Sequence, residues 1–134
     1  MNVTREQLDA KRRGKPLPRP EREIVRAILD YLAIQRDVVA WRNNVGAVKE
    51  GERFIRFGVK GLPDIIGWRT VVADLATNDV PAFLPYARFL ALEVKAPGAP
   101  IRPQQAAFLE RARAAGCLAF VARSIDDVRR GLDA

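Results

Sequence analysis

Residues 89–95 read FLALEVK, an alternation that strongly constrains the fold of this chain. A period of two residues predicts a half-buried β-strand in which Leu90 and Leu92 face the core. The same period turns Glu93 and Lys95 to the opposite side of that strand. A core strand that carries an acid beside a base has little structural reason to do so, because burying charge costs free energy. We therefore expect this strand to form one wall of a chemical site.

A second acid, Asp64, ends the segment KGLPD and begins a predicted strand at residues 64–68. The glycine of that segment allows the backbone to come close to a ligand. Asp64 and Glu93 together can bind a divalent metal ion, while the neighbouring ammonium of Lys95 orients water and offsets negative charge. Hydrolysis of a phosphodiester needs this combination of groups.

The chain contains no histidine. That excludes the usual serine and cysteine triads, zinc sites built on imidazole and a histidine general base. Any hydrolytic chemistry must then depend on carboxylates, lysine and metal-bound water. The net charge of +7 predicts a polyanionic partner, most simply nucleic acid.

Length and cysteine content bound the class of protein. The 134 residues are enough for one domain with its own core. Cys117 is the only cysteine, so it is expected to be a small core side chain in a reducing compartment. No apolar stretch approaches about 20 residues, and no hydrophobic signal segment is visible, so we expect a cytoplasmic location.

Hydrophobic periodicity and turn residues predict the order of the elements. Helices are expected at residues 20–35, 103–115 and from 125, and strands at 38–43, 53–57, 64–68, 88–95 and 117–122. A turn at residues 49–52 suggests that the first two strands form a basic hairpin. Residues 70–87, which include two prolines, form a longer connection whose structure the pattern does not determine. The closing strand–helix–strand predicts one parallel crossover joined to an antiparallel meander, hence an α/β fold with a mixed sheet.

Residues 1–20 differ in composition from the rest of the chain. Their second half, KRRGKPLPRP, holds five basic residues, three prolines and no acid. We expect a flexible, extended arm. Such an arm either solubilises the protein or contacts phosphates, and the sequence favours neither alternative.

The first predicted helix carries two candidate acids. At 100° per residue, Glu21 lies at the centre of the apolar stripe, whereas Glu23 lies on the opposite side. An acid in the first turn also interacts favourably with the helix dipole, which is the structural explanation for Glu21. An acid that faces the core is nevertheless costly unless it is paired or bound to metal, so we favour a site role.

Other polar residues are candidates for contacts with a phosphate backbone, although each by itself is equally consistent with an ordinary solvated surface. They are Arg42, Asn43, Arg53, Arg56 and Lys60. Trp41 and Trp68 are expected to lie in the core rather than to stack on bases.

An ordered set of motifs runs through most of the chain. It consists of GLPDIIG at residues 61–67, LEVK at 92–95, Gln105 followed by Phe-Leu at 108–109, and GCLAFVARS at 116–124. In this set the chain resembles the VRR-NUC (virus-type replication and repair nuclease) family of the PD-(D/E)xK nuclease superfamily. The likeness covers about residues 21–130. It implies a restriction-endonuclease-like core and a nuclease domain over residues 21–134.

The resemblance also implies a site built from a helix acid, a strand acid, the Glu-x-Lys pair and a helix glutamine. These are Glu21, Asp64, Glu93, Lys95 and Gln105. Glu23 is the alternative helix acid, because Val25 stands where relatives often carry glutamine. Asp64, Glu93 and the Val94 carbonyl are then expected to bind Mg²⁺ or Mn²⁺, with Lys95 protonated beside them and Gln105 hydrogen-bonded to the site or the phosphate.

Small stand-alone VRR-NUC proteins look like phage-type enzymes related to Holliday-junction resolvases. The resemblance therefore implies a Mg²⁺-dependent endodeoxyribonuclease that acts as a homodimer on branched DNA, in the cytoplasm of a bacterium or of a phage-infected host. Two alternatives remain open. One is a nuclease that acts on flaps, ends or nonspecific duplex, and the other is a basic DNA-binding module whose acids are structural.

Overall fold

The structure, a computed structural model, describes residues 19–44, 46–57 and 61–134, with backbone but not side chains given for residues 19, 46–49 and 54–57. The expected basic arm lies almost wholly outside the described residues, as does Lys60. The helices are α1 (Arg19–Ala33), α2 (Pro103–Ala114) and α3 (Ile125–Leu132). The strands are β1 (Val38–Arg42), β2 (Gly46–Glu50), β3 (Arg53–Phe57), β4 (Ile65–Asp74), β5 (Phe83–Val94) and β6 (Leu118–Ala122). No helix within the described ranges has the length and apolar character that crossing a lipid bilayer requires.

A mixed four-stranded sheet in the order β1-β4-β5-β6 forms the centre of the molecule. The pairs β1–β4 and β4–β5 are antiparallel, whereas β5 and β6 are parallel and joined through α2. This is the predicted crossover attached to an antiparallel meander. With three flanking helices, the architecture confirms the α/β class and is consistent with a restriction-endonuclease-like core.

The two faces of the sheet are covered differently. On one face, here called the core face, Leu90, Leu92 and other apolar residues of the strands pack with α1 and α3 in the main core. On the opposite face, here called the site face, Ala91 of β5 and Ala119 of β6 pack against Leu109 of α2. Glu93 lies on the site face because side chains alternate along β5.

The undetermined connection at residues 70–87 is a β-hairpin. β4 and β5 pair without interruption from Ile65↔Leu92 to Asp74↔Phe83. The β-branched and aromatic residues on both arms favour extended backbone, and the loop between them includes Asn78 and Asp79 with positive φ. Pro85 is tolerated there because β6 pairs with β5 only from Leu90 onward, so this part of β5 has an open edge.

The expected hairpin between β1 and β3 is wrong. β3 pairs with β2 in a separate two-stranded sheet, and β1 pairs with β4. The reason is burial: Val38 and Ala40 of β1 reach the main core only when β1 lies beside β4. The tight turn of the small hairpin contains Gly51, whose φ of 63° is a conformation that glycine adopts without strain.

Gly67 is where β4 and β1 approach most closely. A Cβ at this position would lie 1.9 Å from the Val39 carbonyl oxygen and 2.6 Å from the Ala40 Cα. We expect Gly67→Ala to lower the free energy of unfolding by about 1–3 kcal/mol, since only a backbone shift can remove the clash. Urea denaturation would measure this loss.

Gly131→Ala is the matched control for that substitution. Its added methyl would meet the far edge of the Phe120 ring, which is a side chain rather than backbone, and α3 gains helix propensity from alanine. Gly131→Ala should therefore lower the free energy of unfolding by less than Gly67→Ala does. Equal unfolding free energies for wild type and Gly67→Ala would contradict the close approach.

Candidate active site

The strand register places three polar residues in one row at the end of the sheet. Arg42 pairs with Ile65 and Ile65 with Leu92, so the next positions outward are Asn43, Asp64 and Glu93. The Asn43 amide donates to the Asp64 carbonyl oxygen over 2.7 Å, which continues the β1–β4 ladder by one residue. Asp64 and Glu93 thus emerge next to each other.

Asp64 is held on both its backbone and its carboxylate. Its Oδ2 accepts a hydrogen bond of 2.8 Å from the Val94 amide, and the Asn43 side chain donates to the Pro63 carbonyl oxygen over 3.2 Å. The preceding turn needs Gly61, whose φ of 85° strains other L-residues. These contacts fix one carboxylate oxygen of Asp64 and hold the carboxylate beside Glu93.

Glu93 is buried, with 2% of its surface exposed. Its Oε1 accepts a hydrogen bond of 2.6 Å from the Gln105 side-chain amide and lies 3.5 Å from the Lys95 Nζ. Lys95 is also buried, and its backbone amide donates to the Ala122 carbonyl oxygen. The acid and the ammonium are therefore paired inside the protein rather than on its surface.

Gln105 is oriented by the start of α2. Its Oε1 accepts from the Arg102 backbone amide at 3.0 Å, so its Nε2 is the atom that faces Glu93. Arg123 supports the chain just after Lys95, because its guanidinium donates to the Ala96 carbonyl oxygen over 2.6 Å. Arg123 was not among the predicted site residues, because only this tertiary contact brings it next to the end of β5.

The electrostatics of the pair favour a bound cation. Burial and the neighbouring Asp64 carboxylate raise the pKa of Glu93 to about 8, although Lys95 acts in the opposite direction. A divalent cation would offset both the burial of the Glu93 charge and its repulsion by Asp64. The carboxylates of Asp64 and Glu93 are suitable hard oxygen donors for such an ion. Three acidic side chains do not converge anywhere in the described part of the chain. Backbone oxygens and water would have to complete the coordination, as is usual for Mg²⁺.

Comparison with known proteins identifies the family. The family model of the VRR-NUC domain matches residues 19–126, which includes every element from α1 to β6. The chain belongs to the VRR-NUC family. VRR-NUC domains are nuclease domains, so nucleic acid is the class of substrate. No curated protein and no solved structure matches the chain significantly.

The two candidate helix acids of the VRR-NUC domain differ in environment. Glu21 is buried, with 7% of its surface exposed, in the first turn of α1, on the same side of the helix as Val25 and Ile28. Glu23 is exposed. Since no three-acid group forms among the described residues, Glu21 does not complete one with Asp64 and Glu93. The role of either glutamate stays a prediction.

The predicted basic residues are spread over two regions of the VRR-NUC domain. Arg42 is exposed at the end of β1, with its side chain on the α1 side of the sheet, and Asn43, the next residue, is half-buried beside the site. Arg53 is exposed on β3, whereas the side chain of Arg56 and all of Lys60 lie outside what the structure describes.

A groove of about 360 Å³ beside α1 adds two cations that the sequence analysis missed. It is lined by Arg22, Glu23, Val25, Arg26, Leu29 and Arg42. The i, i+4 spacing of Arg22 and Arg26 places them on one helix face and was the available signal. Only the tertiary structure brings Arg42 to the same groove.

Proposed function

We propose that this chain is a Mg²⁺-dependent endodeoxyribonuclease that hydrolyses phosphodiester bonds in branched DNA, Holliday junctions first among them, as a homodimer. The buried Glu93 supports the catalytic part of this proposal. Its contacts with Gln105 and Lys95, beside Asp64, form an acid–base arrangement that a non-catalytic DNA-binding module does not need. Membership of the VRR-NUC family supports the choice of phosphodiester chemistry.

Asp64, Glu93 and the Val94 carbonyl would hold the metal ion. When bound there, Mg²⁺ would supply a Lewis acid that makes water a better nucleophile and offsets charge on the phosphate. Mn²⁺ is expected to substitute, because it accepts the same oxygen donors. The Val94 amide keeps Asp64 in place, and Gln105 holds Glu93 through its Oε1.

Lys95 would supply the fixed positive charge of the site. Its ammonium, 3.5 Å from Glu93, would orient the attacking water and stabilise the charge that develops on the phosphate. Glu21, or Glu23 in its place, would hold a further water at the end of α1. Gln105 would keep Glu93 from rotating, which makes it a positioning residue rather than a reacting one.

DNA would reach this site along cationic surfaces. We assign its contacts to Arg42 and Asn43 at the end of β1 and to Arg53, Arg56 and Lys60 on and after the small hairpin. Arg22 and Arg26 extend the cationic surface of Arg42 along α1. Contacts of this kind bind the phosphate backbone and read shape rather than base sequence, which suits a branched substrate.

A substrate panel tests the function directly. The protein is incubated with a four-way junction, a splayed arm, a 5′ flap and a linear duplex that share arm sequences, each with Mg²⁺ or with a chelator. We expect the junction to be cut fastest and all cutting to stop on chelation. Faster cutting of flaps or linear duplex would replace the substrate assignment, and binding without any cutting in Mg²⁺ or Mn²⁺ would leave only a DNA-binding module.

Gln105→Ala tests the positioning of Glu93. We expect kcat to fall by about 10–100-fold, because residues that orient metal ligands have effects of this size. Gln105→Glu keeps an acceptor for the Arg102 amide but loses the donor to Glu93, so it should be at least as impaired. Gln104→Ala, at the exposed neighbouring position, is the control and should cut at the wild-type rate. Wild-type kcat in Gln105→Ala would remove Gln105 from the site.

A further inference from the structure

The site face of the sheet is only partly covered. α2 packs over β5 and β6, and among the residues that the structure describes nothing packs over the part formed by β1, β4 and Phe89 of β5. Four large side chains there are 38% to 47% exposed: Val39, Trp41, Trp68 and Phe89. Their register places all four on the same face, and the two tryptophan rings meet edge to face at 5.9 Å. We call these four residues the aromatic face.

The hairpin at residues 70–87 extends this apolar surface past the ends of β1 and β6. β1 covers β4 only as far as Arg69, and β6 pairs with β5 only from Leu90, so residues 70–87, here called the ribbon, extend past both neighbours. Val72 and Phe83 are exposed on the side of the aromatic face, and Leu84 and Tyr86 on the opposite side. Strands that are apolar on both sides are typical of strands buried on both sides. A lone two-stranded ribbon is also only marginally stable in water.

The charge of the ribbon argues against DNA as its partner. Residues 70–87 contain Asp74 and Asp79 but no lysine or arginine, in a chain whose net charge is +7. A phosphate backbone would be repelled by such a segment. The rest of the same chain is more positive than the whole, so a second copy offers complementary charge.

The exposed area is sufficient for a stable dimer. Ten large apolar side chains are exposed on the two surfaces: Val39, Trp41, Trp68, Val72, Leu75, Val80, Phe83, Leu84, Tyr86 and Phe89. At roughly half exposure, the five aromatic residues leave on the order of 500 Å². The five aliphatic residues raise this toward the value of about 800 Å² per partner that standard interfaces bury.

We infer that the aromatic face and the ribbon together bind a second copy of this chain. The contact is self-complementary: apolar surface meets apolar surface, and the acidic ribbon meets the basic body of the partner copy. The inference rests on the proposed function, which includes a homodimer, and it identifies the surface through which that dimer forms. Because Glu93 and the aromatic face share one side of the sheet, the contact would also set the distance between the two cutting sites.

Association can be measured without any DNA or metal. We expect sedimentation equilibrium of the full chain to give a dimer with a dissociation constant of about 1 µM or below. Phe83→Asp and Leu84→Asp, at exposed ribbon positions, should each raise that constant by about 100-fold, while circular dichroism shows that the monomer is folded. Ile34→Asp is the control, because Ile34 is 76% exposed just after α1 and belongs to neither surface, so this variant should remain dimeric.

Tryptophan emission gives a second, independent readout. Trp41 and Trp68 are the two tryptophans of the chain, and both belong to the aromatic face. Their emission should shift to shorter wavelength as the wild-type concentration rises through the dissociation constant, and should not shift in Phe83→Asp. A wild-type chain that stays monomeric at about 100 µM, or a dimer that persists in both ribbon variants, overturns the inference.

The outcome is separable from that of the nuclease proposal. Dimerisation is measured in the absence of substrate, whereas the nuclease activity of the proposed function is tested by DNA cutting. A monomeric wild type that cuts DNA would remove the dimer from that proposal and leave the nuclease activity in place. Phe83→Asp should still nick DNA at single sites, because Phe83 is far along β5 from Glu93, but should lose paired cuts in a junction. If the wild type is monomeric and both ribbon variants lose DNA binding, the surface binds DNA and the inference is overturned.

Discussion

Asp64→Asn and Lys95→Ala are each expected to abolish DNA cleavage, with rates at least about 10³-fold below wild type. Asparagine keeps an oxygen for the Val94 amide but loses the negative charge that a cation needs. Alanine removes the ammonium beside Glu93. Both variants should still bind DNA in fluorescence anisotropy, because neither change removes the cationic surface that lies away from the site.

Asp126→Asn is the matched control for the loss of one carboxylate. Asp126 is exposed on α3 and pairs with the exposed Arg129, so cleavage by this variant should equal that of wild type. Melting temperatures of all three variants show whether they are folded. Retained cleavage by a folded Asp64→Asn or Lys95→Ala protein would discard the site assignment.

Glu93→Gln is expected to stabilise the metal-free protein at pH 8 while abolishing its cleavage. In the unfolded chain Glu93 loses its proton near pH 4.5, whereas burial and Asp64 raise its pKa to about 8 in the folded protein. The folded state therefore holds one more proton between these values, and the stability of the wild type falls as the pH rises through this interval. Glutamine does not titrate, so the variant should gain roughly 4 kcal/mol over wild type at pH 8.

Urea denaturation in a chelator at pH 5, 6.5 and 8 measures this difference. The advantage of Glu93→Gln should be small at pH 5 and should grow with pH, while ionisable groups away from the site contribute equally to both proteins. Added Mg²⁺ should stabilise the wild type at pH 8 and have little effect on the variant. A difference between the two proteins that does not change with pH would contradict the raised pKa of Glu93.

The predicted elements that depend on local pattern are confirmed. The strand at residues 88–95 has Leu90, Leu92 and Val94 fully buried, and the helix after Pro103 and the strand after Gly116 lie where expected. These predictions succeed because a run of alternating or helical periodicity, with proline or glycine at its ends, determines its own backbone conformation.

The predictions that depend on which elements pack or pair together were wrong for the two tryptophans and for β1. Trp41 and Trp68 were expected in the core, but α2 covers only the β5–β6 half of the site face and leaves both about half exposed. The pairing of β1 with β4, rather than with β3, follows from the need to bury Val38 and Ala40 against α1. Neither outcome can be predicted from the local sequence. The hydrophobicity of a side chain indicates that it prefers to be buried, but not which surface will cover it.

The same distinction applies to the candidate site. The sequence by itself determined that Glu93 and Lys95 project from the same side of one strand, since the two-residue period is fixed by backbone geometry. Only the tertiary structure decided that Asp64 lies beside Glu93, through the register Ile65↔Leu92, and that Gln105 donates to Glu93 from α2. Register and helix placement result from burial of the whole core, and no local segment contains that information.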